Sequence, residues 1–109
     1  MIVYLEKEAT KEELKKASEE FGVYIKITID ILKRVCTLGG KLHADGEKFL
    51  IEKGSKQENI WGGGYDIKSR RIDSQAVINI RPREMNDSME ILDPIIRKKF
   101  LSLAEKFLK

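Results

Sequence analysis

Three stretches of this chain carry residues that could do chemistry. The first is Gly39-Gly40-Lys41-Leu42-His43-Ala44-Asp45, which holds the single histidine and an acid two residues beyond it. Glycines ahead of a helix leave backbone N–H groups open, and the helix dipole adds partial positive charge, so an anion can bind there. His43 titrates near neutral pH and could act as acid, base or ligand, with Asp45 or Asp93 to orient it. His43 and Asp45 point in different directions on a helix; in an extended turn they could share a site. The glycine and lysine spacings are neither those of a Walker loop nor those of the dinucleotide fingerprint. The plain alternative is a tight strand-to-helix turn with His43 bonded to nearby backbone.

The second stretch is Ile78-Asn79-Ile80-Arg81-Pro82-Arg83, followed by Asn86, Ser88 and Asp93. Arg81 and Arg83 leave the end of an expected strand into a polar loop that leads to a helix. Two guanidinium groups with amides and a hydroxyl suit a carboxylate or phosphate. The alternative is that both arginines pair with the local acids Glu84, Asp87, Glu90 and Asp93. The third is Trp61-Gly62-Gly63-Gly64-Tyr65, where an aromatic could stack on a base or sugar, or pack into the core as a lone Trp commonly does.

Other chemistries lack support. One His and one Cys across a strand-to-helix boundary make no metal site, and no cofactor is implied. Cys36 falls mid-strand and His43 has no partner at triad spacing, so a nucleophilic triad is unsupported. Lys68, Arg70, Arg71, Arg81 and Arg83 form a basic patch beside Trp61 and Tyr65, but surrounding acids dilute it, and nucleic acid is not the expected partner. The net charge is +3 with 36% of residues charged, so the surface is mixed rather than basic.

The elements that must position these residues can be read in order. Ile2–Leu5 is a short strand. Thr10 to Phe21 is a helix with a Thr10/Glu13 capping box, an apolar stripe of Leu14, Ala17 and Phe21, and Gly22 as its stop. Val23 to Ile31 alternates at period two, with Val23, Ile25, Ile27, Ile29 and Ile31 on one face and Tyr24, Lys26, Thr28 and Asp30 on the other. Val35 to Leu38 follows too closely for a crossover, so the two pair as a hairpin. One buried and one wetter face suggests an antiparallel sheet covered by helices on one side.

A helix is expected from Lys41 to Lys53, with Leu42, Phe49 and Leu50 as its stripe, and a second capping box at Ser55 and Glu58. Trp61 to Tyr65 reads as a loop or a bulged edge strand, because three glycines weaken a strand interior. Ala76 to Ile80 reads as a strand ended by Pro82. Asp93-Pro94 opens the last helix, whose stripe is Ile96, Phe100, Leu103, Ala104, Phe107 and Leu108. The fold class is α+β: one compact domain over residues 1–109, a mainly antiparallel sheet with about three helices, in the order β-α-β-β-α-β-β-α.

The segments Gly39–Asp45, Gly54-Ser55-Lys56-Gln57-Glu58-Asn59-Ile60-Trp61-Gly62 and Ile78–Pro82, with Asn86, Ser88, Asp93 and Arg97 downstream, resemble a family of short prokaryotic proteins known only as a domain of unknown function. Lys41 stands where that pattern is often acidic and Gly46 where it is often alanine, and neither departure should disturb a site. The resemblance implies that the three segments belong together. It brings no activity, cofactor or substrate.

Lone Cys36 and a start without the pattern of a secretory signal make a reducing, cytoplasmic setting the expectation. No stretch approaches the roughly 20 apolar residues of a membrane span. Abundant Lys, Glu and Ile point to a heat-loving source. Edge strands at Ile2–Leu5 or Ile72–Ile80 make a homodimer an open expectation. Three functions follow. A binding module could hold an anionic small molecule, such as a nucleotide, at Gly39, Gly40, Trp61, Arg81, Arg83, Asn86, Ser88 and Asp93. An enzyme could use His43 and Asp45. A structural or partner-binding domain would use the polar segments as turns.

Overall fold

Local signals cap the first and last helices where the sequence predicts, whereas the middle helix begins at His43 rather than Lys41 and leaves Leu42 exposed. Thr10 Oγ1 accepts from Glu13 N–H over 3.1 Å and the Glu13 carboxylate accepts from Thr10 N–H over 2.9 Å, which caps α1 (Lys11–Phe21). Asp93 accepts from Ile95 N–H over 2.8 Å ahead of Pro94, which opens α3 (Pro94–Leu108). The computed structural model describes residues 2–109, with the side chains of Glu20 and Phe21 outside that description; the expected place of Phe21 on the α1 stripe therefore falls outside the described residues.

The strands β1 (Val3–Leu5), β2 (Tyr24–Asp30), β3 (Val35–Leu38), β4 (Ile60–Asp66) and β5 (Arg71–Asp73) form one antiparallel sheet in the order β1-β3-β2-β4-β5. The expected β2–β3 hairpin is present, with Ile29 opposite Cys36 and Ile27 opposite Leu38. Ile25, Ile27, Ile29, Cys36 and Leu38 are wholly buried on one face, against Ala17 of α1 and Phe100, Leu103, Ala104 and Phe107 of α3. The expected stripe of α3 is thus the side that packs on the sheet.

Four expectations are corrected. The second face of the sheet is covered as well. Thr28, Asp30 and Thr37 are buried beneath α2 (His43–Glu52), which approaches through Gly46. A Cβ at Gly46 would fall 2.5 Å from both Thr28 Oγ1 and Thr37 Oγ1, so the glycine lets the helix lie directly on the two threonines. Polar side chains on this face do not mark it as wet, because hydroxyls can be buried where a helix backbone meets them closely.

The triple-glycine segment is not a loop. β4 pairs along its full length with β2, from Asp30 opposite Ile60 to Tyr24 opposite Asp66. Its glycines sit under side chains that replace their own: the His43 ring, Ala76 and Ile78 lie over Gly62, Phe100 over Gly63, and the Tyr24 ring over Gly64. Packing from neighbouring elements overrides the weak strand propensity of glycine.

Ala76 to Ile80 is not a strand but a 3₁₀ turn at Val77–Asn79, and the last strand is instead Arg71–Asp73. The element order survives this change. Ser55 and Glu58 form no capping box; the 3₁₀ turn Gln57–Asn59 starts after Lys56 without a side-chain cap.

Candidate functional site

The expected site residues gather along one side of β4. β5 pairs only with Gly64, Tyr65 and Asp66, which leaves the first half of β4 without a strand neighbour on that side. Side chains take the missing strand's place. Asn79 bonds both the N–H and the carbonyl of Gly62, and its Nδ2 also reaches the carbonyls of Ser74 and Met89. The Arg81 guanidinium donates to the carbonyls of Ile60 and Ile78 and lies 4.1 Å above the Trp61 ring. Asn86 Nδ2 donates to the carbonyls of Asn79, Ser88 and Glu90, while its Oδ1 accepts from Leu92 N–H. Asn79, Arg81 and Asn86 are all buried. Two asparagines and one arginine thereby hold residues 74–92 against the sheet.

Arg81 pairs with Glu84 only at 3.8 Å. Burial lowers its pKa, and Glu84 and Glu47 oppose that shift, but a guanidinium so far above neutrality stays charged. Ser88 Oγ accepts from Glu90 N–H, Asp93 caps α3, and Arg83 is exposed on the 3₁₀ turn Pro82–Glu84. Trp61 is buried in the core.

At the start of α2, Gly39 and Gly40 both have φ of +93°, a backbone that L side chains rarely adopt, and they turn the chain from β3 into the helix. Asp45 does not orient His43. Its carboxylate reaches back to Leu42 N–H over 3.0 Å and occupies the helix N-terminus that an anion would use. His43 Nε2 lies 2.6 Å from the Gly63 carbonyl. A carbonyl only accepts, so Nε2 carries the proton and the neutral ring keeps its lone pair on Nδ1. His43 and Arg81 therefore contact carbonyls three residues apart on β4, about 10 Å at strand rise.

Around His43 the same face presents Tyr24, Lys26 and Asp73, which sequence reading did not single out. Lys26 and Asp73 stand on either side of Gly64 in the sheet register, and Tyr24 Oη donates to Asp73 Oδ2 over 2.7 Å. Burial lowers the His43 pKa; the Gly63 carbonyl opposes that, Lys26 adds to it and Asp73 opposes it. Burial and the Asp73 bond push the Tyr24 phenol up.

A separate recess lies along the outer side of α3. An open groove of about 840 Å³ is lined by Ile31, Leu32 and Arg34 of the β2–β3 turn and by Pro94, Ile95, Lys98, Lys99, Ser102, Leu103 and Lys106. None of these residues is acidic. The turn that forms one wall is held from both sides: Asp30 Oδ1 accepts from the N–H groups of Leu32 and Lys33 over 2.9 Å, and Lys33 Nζ donates to the Gly54 carbonyl over 2.8 Å. Sequence reading missed this groove because it followed the buried stripe of α3. The signal lay on the other side of that helix, where Lys98, Lys99 and Lys106 recur at helical spacing beside Ile95.

Among the described residues, no helix is long and apolar enough to cross a membrane, and no group of three or more His, Cys, Asp or Glu could hold a metal ion. Neither the curated proteins nor the solved structures contain a match to this chain. A family model described as protein of unknown function (DUF5674) matches residues 3–107, spanning all three segments and every strand and nearly all of the last helix, and the chain belongs to that family.

Proposed function

We propose that this protein is a small binding module for an anionic ligand, held in the groove between α3 and the β2–β3 turn. One observation carries the reading: Arg34, Lys98, Lys99 and Lys106 line a single recess that contains no carboxylate. Its volume of about 840 Å³ falls in the ordinary range for ligand sites, roughly 300–1,000 Å³. Arg81, His43 and Asp45 are engaged with backbone groups, so the anion-binding reading rests on the groove rather than on the Gly39-Gly40 turn.

A thermal-shift screen against nucleotides, sugar phosphates and carboxylates tests this. A ligand at a hundred times its dissociation constant adds about 2.7 kcal/mol of stability. The expected result is a hit that Lys98→Glu/Lys99→Glu loses and that Arg83→Ala, outside the groove lining, keeps. Hits that persist in the double variant would overturn the placement; an empty screen would overturn the reading for these anions.

A second reading as an enzyme is favoured by the Nδ1 lone pair of His43 beside Lys26 and the Tyr24–Asp73 pair. Its test is turnover of ester and phosphoester substrates that is lost in His43→Ala and retained in Lys98→Glu/Lys99→Glu.

A further inference from the structure

The groove has more structure than a point charge needs. Its α3 wall runs from Pro94 to Lys106, about 18 Å at the helical rise. Cations recur along it, with Lys98 and Lys99 a third of the way from Pro94 and Lys106 at the far end, where Arg34 stands beside it; Ile95 precedes the first lysines and Leu103 lies between them and Lys106. Leu32 and Ile95 are 71% and 67% exposed, so two large apolar side chains face water in the midst of the positive charge. A second recess of about 200 Å³ continues past Arg34, Leu103 and Lys106 to Glu6, Lys7, Glu8 and Phe107. That recess mixes Glu6 and Glu8 with Lys7, whereas the lining from Pro94 to Lys106 holds no acid.

We propose that this groove docks an acidic amphipathic peptide segment of a partner protein, an inference that rests on the anion-binding reading and names its partner class. The charges of such a segment complement the lysines and Arg34, and its apolar side chains cover Leu32 and Ile95. A phosphate or other compact anion meets one end of the groove and leaves both apolar residues in water. A nucleic-acid strand supplies phosphates at both ends, but stacking its bases calls for aromatic side chains, and the groove lining contains none. The walls need little reordering on docking, because Asp30 and Lys33 fix the turn and α3 is packed along its other side.

The test selects from a random 12-residue peptide display library on the full immobilised chain, with the Lys98→Glu/Lys99→Glu variant as counter-target. Synthetic versions of the enriched peptides, their scrambled forms, a single-stranded oligonucleotide and inorganic phosphate are then compared by fluorescence anisotropy or competition. Enriched peptides are expected to be net acidic with apolar residues three or four apart, and to bind at least tenfold tighter than their scrambled forms and the oligonucleotide. Lys98→Glu/Lys99→Glu should lose at least tenfold in affinity and Leu32→Ser severalfold, with the unfolding midpoint of each kept near that of the parent. Enrichment without acidic bias, or equal binding of the scrambled forms or the oligonucleotide, would overturn the peptide assignment while small-anion binding could still stand. Absence of both peptide enrichment and any charge-reversal-sensitive anion binding would overturn both readings.

Discussion

The carboxamide of Asn79 pairs with both backbone groups of Gly62. Gly62 N–H donates to Oδ1 over 2.9 Å, and Nδ2 donates to the Gly62 carbonyl over 2.9 Å. One side chain thus supplies the two bonds that a neighbouring strand would give. Removing it leaves two strand groups and the carbonyls of Ser74 and Met89 short of partners, at about 1–3 kcal/mol for each buried group left unmade. Asn79→Ala should therefore lower unfolding free energy by about 3 kcal/mol or more in urea titration. Asn79→Asp should be no better, because it sets a carboxylate against three carbonyl oxygens. A loss below about 1 kcal/mol for both would show that residues 74–92 hold to the sheet by other means.

Gly64 and Tyr24 form a second coupled pair. A Cβ at Gly64 would run into the Tyr24 ring, which crosses the strand to reach Asp73. Gly64→Ala should cost about 1–3 kcal/mol by overpacking. In Tyr24→Ala/Gly64→Ala the clash is gone, so the double variant should lose less than the sum of the single variants by at least about 0.5 kcal/mol. Strict additivity in denaturation experiments would contradict the packing described.

His43 predicts a pH dependence of stability. Burial lowers its pKa in the folded chain below the ordinary imidazole value of about 6.5. Between the folded and unfolded values the unfolded chain binds more protons, so stability rises with pH there. Stability should be complete above about pH 6.5 and decline as the pH falls through the window below it, levelling off under the folded pKa. His43→Gln should flatten this part of the profile. Unfolding midpoints measured from pH 5.5 to 7.5 for both chains decide it, and parallel profiles would refute the assignment.

Cys36 should be chemically silent in the folded protein. The thiol is wholly buried in β3, and burial pushes its pKa far up, so little thiolate forms and reagents do not reach it. Mass spectrometry should find no alkylation by iodoacetamide under native conditions and a single addition in denaturant. Rapid native labelling would mean that the sheet opens on the labelling timescale.

Residue order determined a large part of this molecule without help. The Thr10 capping box, the Asp93-Pro94 start, the β2–β3 hairpin and the buried stripe of α3 are encoded within a few residues of one another. Short-range hydrogen bonds and periodic burial are enough to specify them. The same locality made the polar segments ambiguous. Asn79, Arg81 and Asn86 read equally well as ligand-binding groups and as hydrogen-bonded corners, since both uses call for the same donors.

Tertiary structure supplies those donors with backbone partners. The carbonyls of Ile60 and Gly63 on β4 become the partners of Arg81 and His43 only because the fold brings together residues about twenty positions apart. The strand character of Trp61–Tyr65 likewise comes from the rings of His43, Tyr24 and Phe100 lying over its glycines, which no local propensity contains. The α3 groove needs two elements sixty residues apart, Leu32 to Arg34 and Pro94 to Lys106, to face one another. Its positive field is a property of that juxtaposition, since the lysines of α3 taken in sequence are simply the solvated side of an amphipathic helix.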